Sequence, residues 1–267
     1  MYKYLLIIFI AGVLLAGCEK DEPGDPNYPT KIEGASEETI NNLITRLSGT
    51  ALYNCTSIDT FGFCFITSRF ESCEINDSVH ICPELNETDV NNLFSKAMSD
   101  YSDLLNLDNT SEIKAIEIKT PEGKSFADFK EEFPDSTPEN ILVLSNLQYY
   151  NEIQVTGTTI SALIHQGVVI SVGGRRYKNI YMPQADVYNE EKAKELIYNQ
   201  TFTYNSTKIK PVKETYFYNS RKIIMPVFRD DKMELLLCWA LYPSTWEIIV
   251  DSQTGEVISS INIDKIK

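Results

Sequence analysis

Histidine is almost absent from this chain of 267 residues, which contains only His80 and His165. A zinc-peptidase helix needs two histidines four residues apart together with a carboxylate base, so the sequence excludes that chemistry. It also lacks a nucleophile elbow, a phosphate-binding loop and a dinucleotide fingerprint. We therefore expect no catalytic residue, no metal site and no cofactor, and a protein that is not an enzyme.

Positive charge is scarce as well, with 24 lysines and arginines against 38 aspartates and glutamates and a net charge of −14. So acidic a chain is a poor partner for nucleic acid, which we exclude. The basic residues concentrate in the later part of the chain, most sharply at Arg175, Arg176 and Lys178. This cluster either binds an acidic partner or complements the acidic remainder of the same chain, and we favour the second interpretation.

Long apolar runs are missing except at the start, where residues 5–15 are too few to span a bilayer as a stable helix. Lys3 precedes this run, and Leu15-Ala16-Gly17-Cys18 closes it. These residues resemble the lipobox of bacterial lipoproteins. The resemblance implies that residues 1–17 are a signal peptide and that acylation of Cys18 attaches the protein to the membrane. We expect a lipid-anchored protein of the cell envelope, at the outer membrane or cell surface rather than the inner membrane.

Residues 18–35 follow the expected lipid site and have no hydrophobic period. They are acidic and contain three prolines, at Pro23, Pro26 and Pro29. Such a composition is typical of a disordered tether that holds a folded domain away from a membrane.

Four of the six cysteines recur every nine residues, at Cys55, Cys64, Cys73 and Cys82. Because an exported chain permits disulfides, we predict two bridges among these four cysteines, with all three pairings open. Eight intervening residues are too many for the usual zinc knuckle, so a metal site that includes His80 is the weaker alternative. The sixth cysteine, Cys238, lies in an apolar run and is interpreted as a packed core thiol.

These cysteines belong to a small Cys-rich module predicted over residues 36–86. Ser36 is expected to cap a short helix at its start. Phe61, Phe63 and Phe65 alternate like one side of a strand, which predicts a disulfide-pinned hairpin.

The remainder of the chain alternates between helical and strand patterns. The clearest helical period covers residues 87–106, and a second helix begins after Asn189. Strand patterns are found at residues 113–118, 141–150, 158–165, 168–172, 223–228, 233–242, 246–250 and 257–263. The sequence therefore predicts an α+β fold with two units, each a helix packed on an antiparallel β-sheet.

Several of these segments resemble parts of protease propeptides. Residues 102–112, 148–157 and 167–174 are similar to the propeptide domain of fungalysin and thermolysin metallopeptidases, abbreviated FTP. Residues 190–193 and 246–257 resemble the PepSY domain, the partner module in those propeptides. The resemblance implies two cystatin-like or propeptide-like units, an FTP-like domain over residues 87–182 and a PepSY-like domain over residues 183–267. The FTP family usually has glycine and proline at the positions of Glu152 and Gln154, where this chain departs from the pattern.

Propeptides of this kind help a protease to fold and occupy its active-site cleft. Because this sequence contains no peptidase motif, the resemblance implies a protein that binds, inhibits or chaperones a separately exported peptidase. Arg175, Arg176 and Lys178 are candidate partner-binding residues on this hypothesis. The alternative is an envelope scaffold that recognises peptides or glycans through Tyr216 and Tyr218, although cross-strand packing also explains strand tyrosines.

Overall fold

The computed structural model describes residues 26–48, 55–67, 84–229 and 231–266. Within these ranges the chain forms four α-helices, α1 (Glu37–Ser48), α2 (Glu87–Asp100), α3 (Phe126–Glu132) and α4 (Glu190–Ile197). The strands are β1 (Thr30–Ile32), β2 (Cys55–Ile58), β3 (Cys64–Thr67), β4 (Ala115–Lys119), β5 (Asn140–Ser145), β6 (Gln148–Tyr150), β7 (Ile153–Val155), β8 (Ser161–His165), β9 (Val168–Gly173), β10 (Phe202–Tyr204), β11 (Thr207–Ile209), β12 (Phe217–Arg229), β13 (Lys232–Pro243), β14 (Trp246–Asp251) and β15 (Val257–Asn262). The α+β class expected from the sequence is confirmed.

The first sheet has the order β2-β3-β9-β8-β5-β4, and every neighbouring pair in it is antiparallel. Its inner face is apolar because alternate residues of β5, Ile141 and Val143, are buried as their neighbours turn outward. Helix α2 covers this face with Phe94 and Met98, both fully buried. Asn86 caps the helix in a reciprocal capping box with Asp89, which fixes where it begins.

The second sheet has the order β15-β14-β13-β12-β7-β6, and β1 pairs with the free edge of β13 beside β14. Its pairs are antiparallel except for β7 with β12, which is parallel. Helix α4 packs Ala193 and Ile197 against Leu241 and Ile248 of this sheet. Asn189 caps α4 by accepting a hydrogen bond from the backbone amide of Lys192, as the sequence predicts.

The prediction of one strand over residues 141–150 is wrong, because this segment forms two strands that belong to different sheets. Strand β5 ends at Ser145 in the first sheet, and β6 begins at Gln148 in the second. The Asn146 side chain accepts the backbone amide of Lys114 at 2.9 Å and donates to the carbonyl of Glu112 at 3.1 Å, which anchors the crossing. As a result, residues 148–155 of the predicted FTP-like domain belong to the same sheet as the predicted PepSY-like domain.

The Cys-rich module predicted at residues 36–86 is not a separate unit in its described part. Strand β3 pairs with β9, so β2 and β3 extend the first sheet. The hairpin is confirmed, but Phe61 and Phe63 lie in its turn and pack against the second sheet, and only Phe65 lies on a strand. The alternation of these phenylalanines is therefore not a strand pattern.

The register of this hairpin bears on the predicted disulfides. Cys55 lies opposite Thr67 and Cys64 opposite Ile58, so the two cysteines are three residue pairs apart along the ladder. That separation is roughly 10 Å, whereas a disulfide joins Cα atoms within about 7 Å. Cys64 has a free, buried thiol, and Cys73 and Cys82 lie outside the described residues. The described register therefore excludes a bridge between Cys55 and Cys64, and the free Cys64 thiol contradicts the prediction of two bridges among the four cysteines. A single bridge among Cys55, Cys73 and Cys82 is not tested.

The disordered tether predicted at residues 18–35 is wrong for its last part, whereas residues 18–25 lie outside the described residues. Strand β1 pairs with β13, with Thr30 opposite Leu235 and Ile32 opposite Met233. The Tyr28 hydroxyl accepts the backbone amide of Leu237 at 2.9 Å. Composition did not predict this strand, because a three-residue strand is stabilised by the sheet edge with which it pairs and not by its own sequence.

The turn between β6 and β7 contains two residues other than glycine with positive φ angles. Asn151 and Glu152 have φ angles of 48° and 64°, the left-handed pair of a two-residue hairpin turn. Asparagine tolerates this region, but a glutamate in it costs about 1 kcal/mol. The glycine that the FTP family has at this position would fit the turn without strain.

We therefore expect Glu152→Gly to raise the free energy of unfolding by about 0.5 kcal/mol, since relief of strain exceeds the added chain entropy of glycine. Urea denaturation would measure the change. Glu131→Gly, at an exposed position inside α3, is the matched control and should lower stability by about 1 kcal/mol. A loss of stability in both variants would show that the turn is not strained.

Candidate functional site: the cleft between the sheets

Two adjoining cavities lie where the first and second sheets meet. Their volumes are about 570 and 350 Å³, and they share Asn106 and residues 176–178 in their walls. We call this pair of cavities the junction cleft. Volumes of this size accommodate a small molecule or a short peptide segment.

Residues 174–181 form one wall of the junction cleft and are held rigidly. The chain leaves β9 at Gly174, whose φ of 138° is open only to glycine. The Gln148 side chain then clamps the backbone of Tyr177, donating to its carbonyl at 2.7 Å and accepting its amide at 2.9 Å. Thr30 of β1 accepts the amide of Tyr181 at 2.7 Å. The backbone of this wall is therefore anchored at Tyr177 and Tyr181.

Two of the three predicted partner-binding cations are neutralised within the chain. Arg175 lies 3.5 Å from the carboxylate of Asp59 and over the ring of Phe63, 5.1 Å from its centroid. Lys178 pairs with Asp108 at 2.5 Å. These contacts favour the interpretation that the basic cluster complements acidic groups of the same chain.

Arg176 differs from its two basic neighbours. Its guanidinium donates from Nη2 to the carbonyl of Asn146 and, at 3.4 Å, to Oγ of Ser145. No carboxylate of the described ranges lies within 4.0 Å of it, and its Nε is buried without an acceptor. Burial lowers the pKa of Arg176, and the charge of Glu112 partly offsets this effect. A guanidinium remains protonated under these conditions, so Arg176 is a half-buried cation without a paired anion.

Tyr177, between Arg176 and Lys178, is a cleft residue that sequence reasoning missed. Its ring is only 3% exposed and packs edge-on against Phe63, with centroids 5.7 Å apart. Its hydroxyl is buried and its proton has no acceptor in the part of the chain described, whereas the Arg175 side chain is close enough to donate to the phenol oxygen. Burial raises the pKa of Tyr177, although the nearby guanidinium of Arg175 lowers it in part. The only sequence signal was an aromatic residue inside the basic cluster.

Tyr216 and Tyr218, the candidate residues for glycan recognition, lie away from the junction cleft, Tyr218 on β12 of the second sheet and Tyr216 just before this strand begins. They are 78% and 51% exposed. The ring of Tyr218 lies 5.8 Å from that of Tyr242, which is buried. The Tyr242 hydroxyl donates to Glu247 and accepts from Arg221 at 3.1 Å. This arrangement gives an aromatic surface backed by a polar network, and neither tyrosine contributes to the cleft.

The network around Tyr242 predicts a loss of stability in alkali. Burial, reinforced by the hydrogen bond to Glu247, raises the pKa of Tyr242 to about 12. Between about pH 10 and pH 12 the unfolded phenol has lost its proton while the folded one retains it, so rising pH favours unfolding. We expect the free energy of unfolding to fall across this range, as measured by urea denaturation. The fall should be shallower in Tyr242→Phe and unchanged in Tyr216→Phe, whose phenol is exposed.

The remaining candidates have structural surroundings. Cys238 is fully buried, as predicted, and burial raises the pKa of its thiol far above the ordinary value. His165 contacts the side-chain oxygen of Asn140 at 3.0 Å, and His80 lies outside the described residues. Among the residues described, no group of three or more histidine, cysteine or acidic side chains is placed to hold a metal ion. The helices described are all too short or too polar to cross a membrane.

Comparison with known proteins gives little beyond this geometry. No protein-family model and no curated protein sequence matches the chain. Among solved structures, the YpeB C-terminal domain of Bacillus megaterium is similar at 10% identity, with a TM-score of 0.30, over 86% of this chain and 98% of that one. A likeness at this level carries no argument about function.

Proposed function

We propose that this chain is a non-enzymatic lipoprotein of the cell envelope that binds a separately exported peptidase, as an inhibitor or a folding chaperone. The observation that carries the proposal is the meeting of the two propeptide-like segments in one sheet. Residues 148–155 join that sheet through β7 and β12, and residues 246–251 join it through β13 and β14. Segments so far apart in sequence thus lie in one sheet, and the first of them lines the junction cleft at Gln148 and Tyr149, which supports a protein in which the two propeptide-like segments act together.

The position of β1 adds a constraint on distance from the membrane. With Tyr28 bound to the second sheet, the fold holds the tenth residue after the proposed lipid site at Cys18. Ten residues span at most about 35 Å, so the anchor would keep the junction cleft close to the membrane surface. A peptidase emerging from the membrane would meet the cleft there.

Replacement of Cys18 tests the anchor. We expect Cys18→Ser to move the protein from the membrane fraction to the soluble fraction after cell breakage, because the sulfur that would receive the acyl chain is removed. Immunoblotting of the separated fractions measures this shift, and Cys238→Ser is a control that leaves the proposed lipid site intact. Retention of Cys18→Ser in the membrane fraction would contradict lipid anchoring.

Capture of the partner tests the peptidase proposal. The full lipidated chain with a C-terminal affinity tag is extracted in detergent from the envelope, and bound proteins are identified by mass spectrometry. We expect a peptidase to co-purify and its activity to change at least tenfold when the purified chain is added back. Capture without any peptidase, or a peptidase whose activity and refolding yield do not respond, would overturn the proposal.

Paired variants locate the binding surface in the same experiment. Arg176→Met with Lys178→Met changes the charge of the junction cleft and should reduce capture at least tenfold. Lys208→Met with Lys213→Met removes the same charge from exposed positions outside the cleft. This double variant should capture as much peptidase as the unchanged chain does. Circular dichroism of all variants shows whether the fold is retained.

A second function, recognition of glycans or peptides by an envelope scaffold, is favoured by the exposure of Tyr216 and Tyr218. Exposed aromatic rings provide flat apolar faces for stacking. Glycan-array and peptide-array binding that is lost in Tyr216→Ala with Tyr218→Ala, but kept in the cleft variants, would support this function over the first.

A further inference from the structure

The junction cleft contains two buried hydrogen-bond donors without an acceptor, Nε of Arg176 and the hydroxyl of Tyr177. An unsatisfied buried donor costs about 1–3 kcal/mol, so two of them in adjacent residues are expensive for the free protein. Both residues line both cavities of the cleft. Buried donors of this kind can form hydrogen bonds when a bound ligand supplies acceptor atoms.

Most other charges at the cleft are already paired; Glu112, which accepts from the Asn109 amide at 2.9 Å, is the exception among the described residues. Asp103 pairs with Arg46 at 3.0 Å, and Glu33 pairs with Lys232 at 2.8 Å. With Lys178 bound to Asp108, Arg176 is the cation of the cleft that has no ion pair among the described residues. The cleft can therefore receive one negative charge without displacing an existing pair.

Apolar side chains lie on both sides of this cation, among polar ones. Phe61, Phe63 and Leu104 line the larger cavity, and Leu147 and Tyr149 line the smaller one. Two adjoining cavities with apolar side chains in each and a cation that lines both match a short peptide with an acidic group between apolar side chains.

We infer that the junction cleft binds a peptide segment through a single carboxylate, which accepts hydrogen bonds from Arg176 Nε and from the Tyr177 hydroxyl. A carboxylate fits better than a phosphate because Asp103, Asp108 and Glu112 stand around the cleft and would repel a second negative charge. The inference rests on the proposed function for the source of the segment, which is the exported peptidase. The choice of a carboxylate follows from the residues of the junction cleft and does not depend on the proposed function.

Tyr177→Phe provides the sharpest test, because it removes a hydroxyl whose proton has no acceptor in the described part of the free protein. We expect the free energy of unfolding to stay the same or to rise slightly. The probes are two pools of terminally blocked pentapeptides with random flanking residues, one with a central aspartate and the other with a central asparagine. A third pool with a central asparagine and a free C-terminus distinguishes a terminal carboxylate from a side-chain one.

The full chain should retain one of the carboxylate pools at least tenfold better than the blocked asparagine pool, as quantified by mass spectrometry after equilibrium dialysis. Tyr177→Phe should reduce that preference about fivefold or more, and Arg176→Met should abolish it. Tyr216→Phe, at an exposed site outside the cleft, should leave it unchanged. Equal retention of all pools, or an undiminished preference in Tyr177→Phe, would overturn the inference.

Failure of this inference is distinguishable from failure of the proposed function. If a peptidase is captured equally by the unchanged chain and by Tyr177→Phe, the function stands and the carboxylate site is wrong. If the peptide pools bind as expected but no peptidase is captured, the site stands and the proposed partner is wrong.

Discussion

Gly174→Ala is expected to lower the free energy of unfolding by about 3–5 kcal/mol. The φ of Gly174 is 138°, a region that residues with a Cβ rarely adopt. A Cβ at this position would lie 2.5 Å from the carbonyl oxygen of Thr159 and 2.7 Å from the Cα of Ile160. Because both contacts involve backbone, a side-chain rotation cannot relieve them, and the strand ends must separate.

Gly157→Ala is the matched control for this change. Gly157 also has a positive φ, 68°, but no atom lies within 4 Å of the position that a Cβ would occupy there. Its substitution should cost only the backbone strain, about 1 kcal/mol. Urea denaturation of both variants separates the two contributions, and equal losses would show that the collision at Gly174 is relieved at little cost.

The position of Gly174 gives the substitution a second effect. The chain passes there from β9 to the wall of the junction cleft that contains Arg176 and Tyr177. A shift at Gly174 would displace both donors. We therefore expect Gly174→Ala to lose the carboxylate preference of the cleft even at temperatures where the variant remains folded.

Removal of residues 26–35 is the change with the second largest expected effect. A chain that begins at Ser36 loses β1, and with it the cover over Met233 and Leu235, which are fully buried in the complete fold. Exposure of these side chains and of the Leu237 amide should cost about 4 kcal/mol relative to a chain that begins at Pro26. If residues 26–35 were a tether without contacts, the two chains would be equally stable.

Thermal denaturation at equal protein concentration compares the two chains. Tyr28→Phe in the longer chain is an intermediate case, since it removes only the oxygen that accepts the Leu237 amide. Its expected cost is about 1 kcal/mol. A larger loss in the point variant than in the truncated chain would contradict the role given to β1.

Local patterns predicted the elements that pack within their own neighbourhood. Helix α2 has apolar residues on one face and a capping residue, Asn86, at its start, and it forms within the predicted range. In the turn after β14 the Asp251 side chain accepts the amide of Gln253 at 2.8 Å and Gly255 has a φ of 73°, conformations that these residue types favour locally. These features depend on atoms a few residues apart, which a sequence window contains.

The candidate site was only partly predictable. Arg175, Arg176 and Lys178 were identified as a cluster, but sequence could not show that Asp59 and Asp108 neutralise two of them. These partners lie more than 65 residues away in the chain. The missing acceptors of Arg176 Nε and the Tyr177 hydroxyl likewise depend on which distant residues the fold brings to them.

The sequence by itself determined the α+β class, the positions of the main helices and hairpins, and the segments that resemble protease propeptides. Tertiary structure decided which sheet each strand joins, because the edge that completes a strand supplies its hydrogen bonds from a distant part of the chain. It therefore placed β1 and residues 148–155 in the second sheet and joined the cysteine hairpin to the first. The junction cleft exists because those crossings bring the two sheets together around Tyr177.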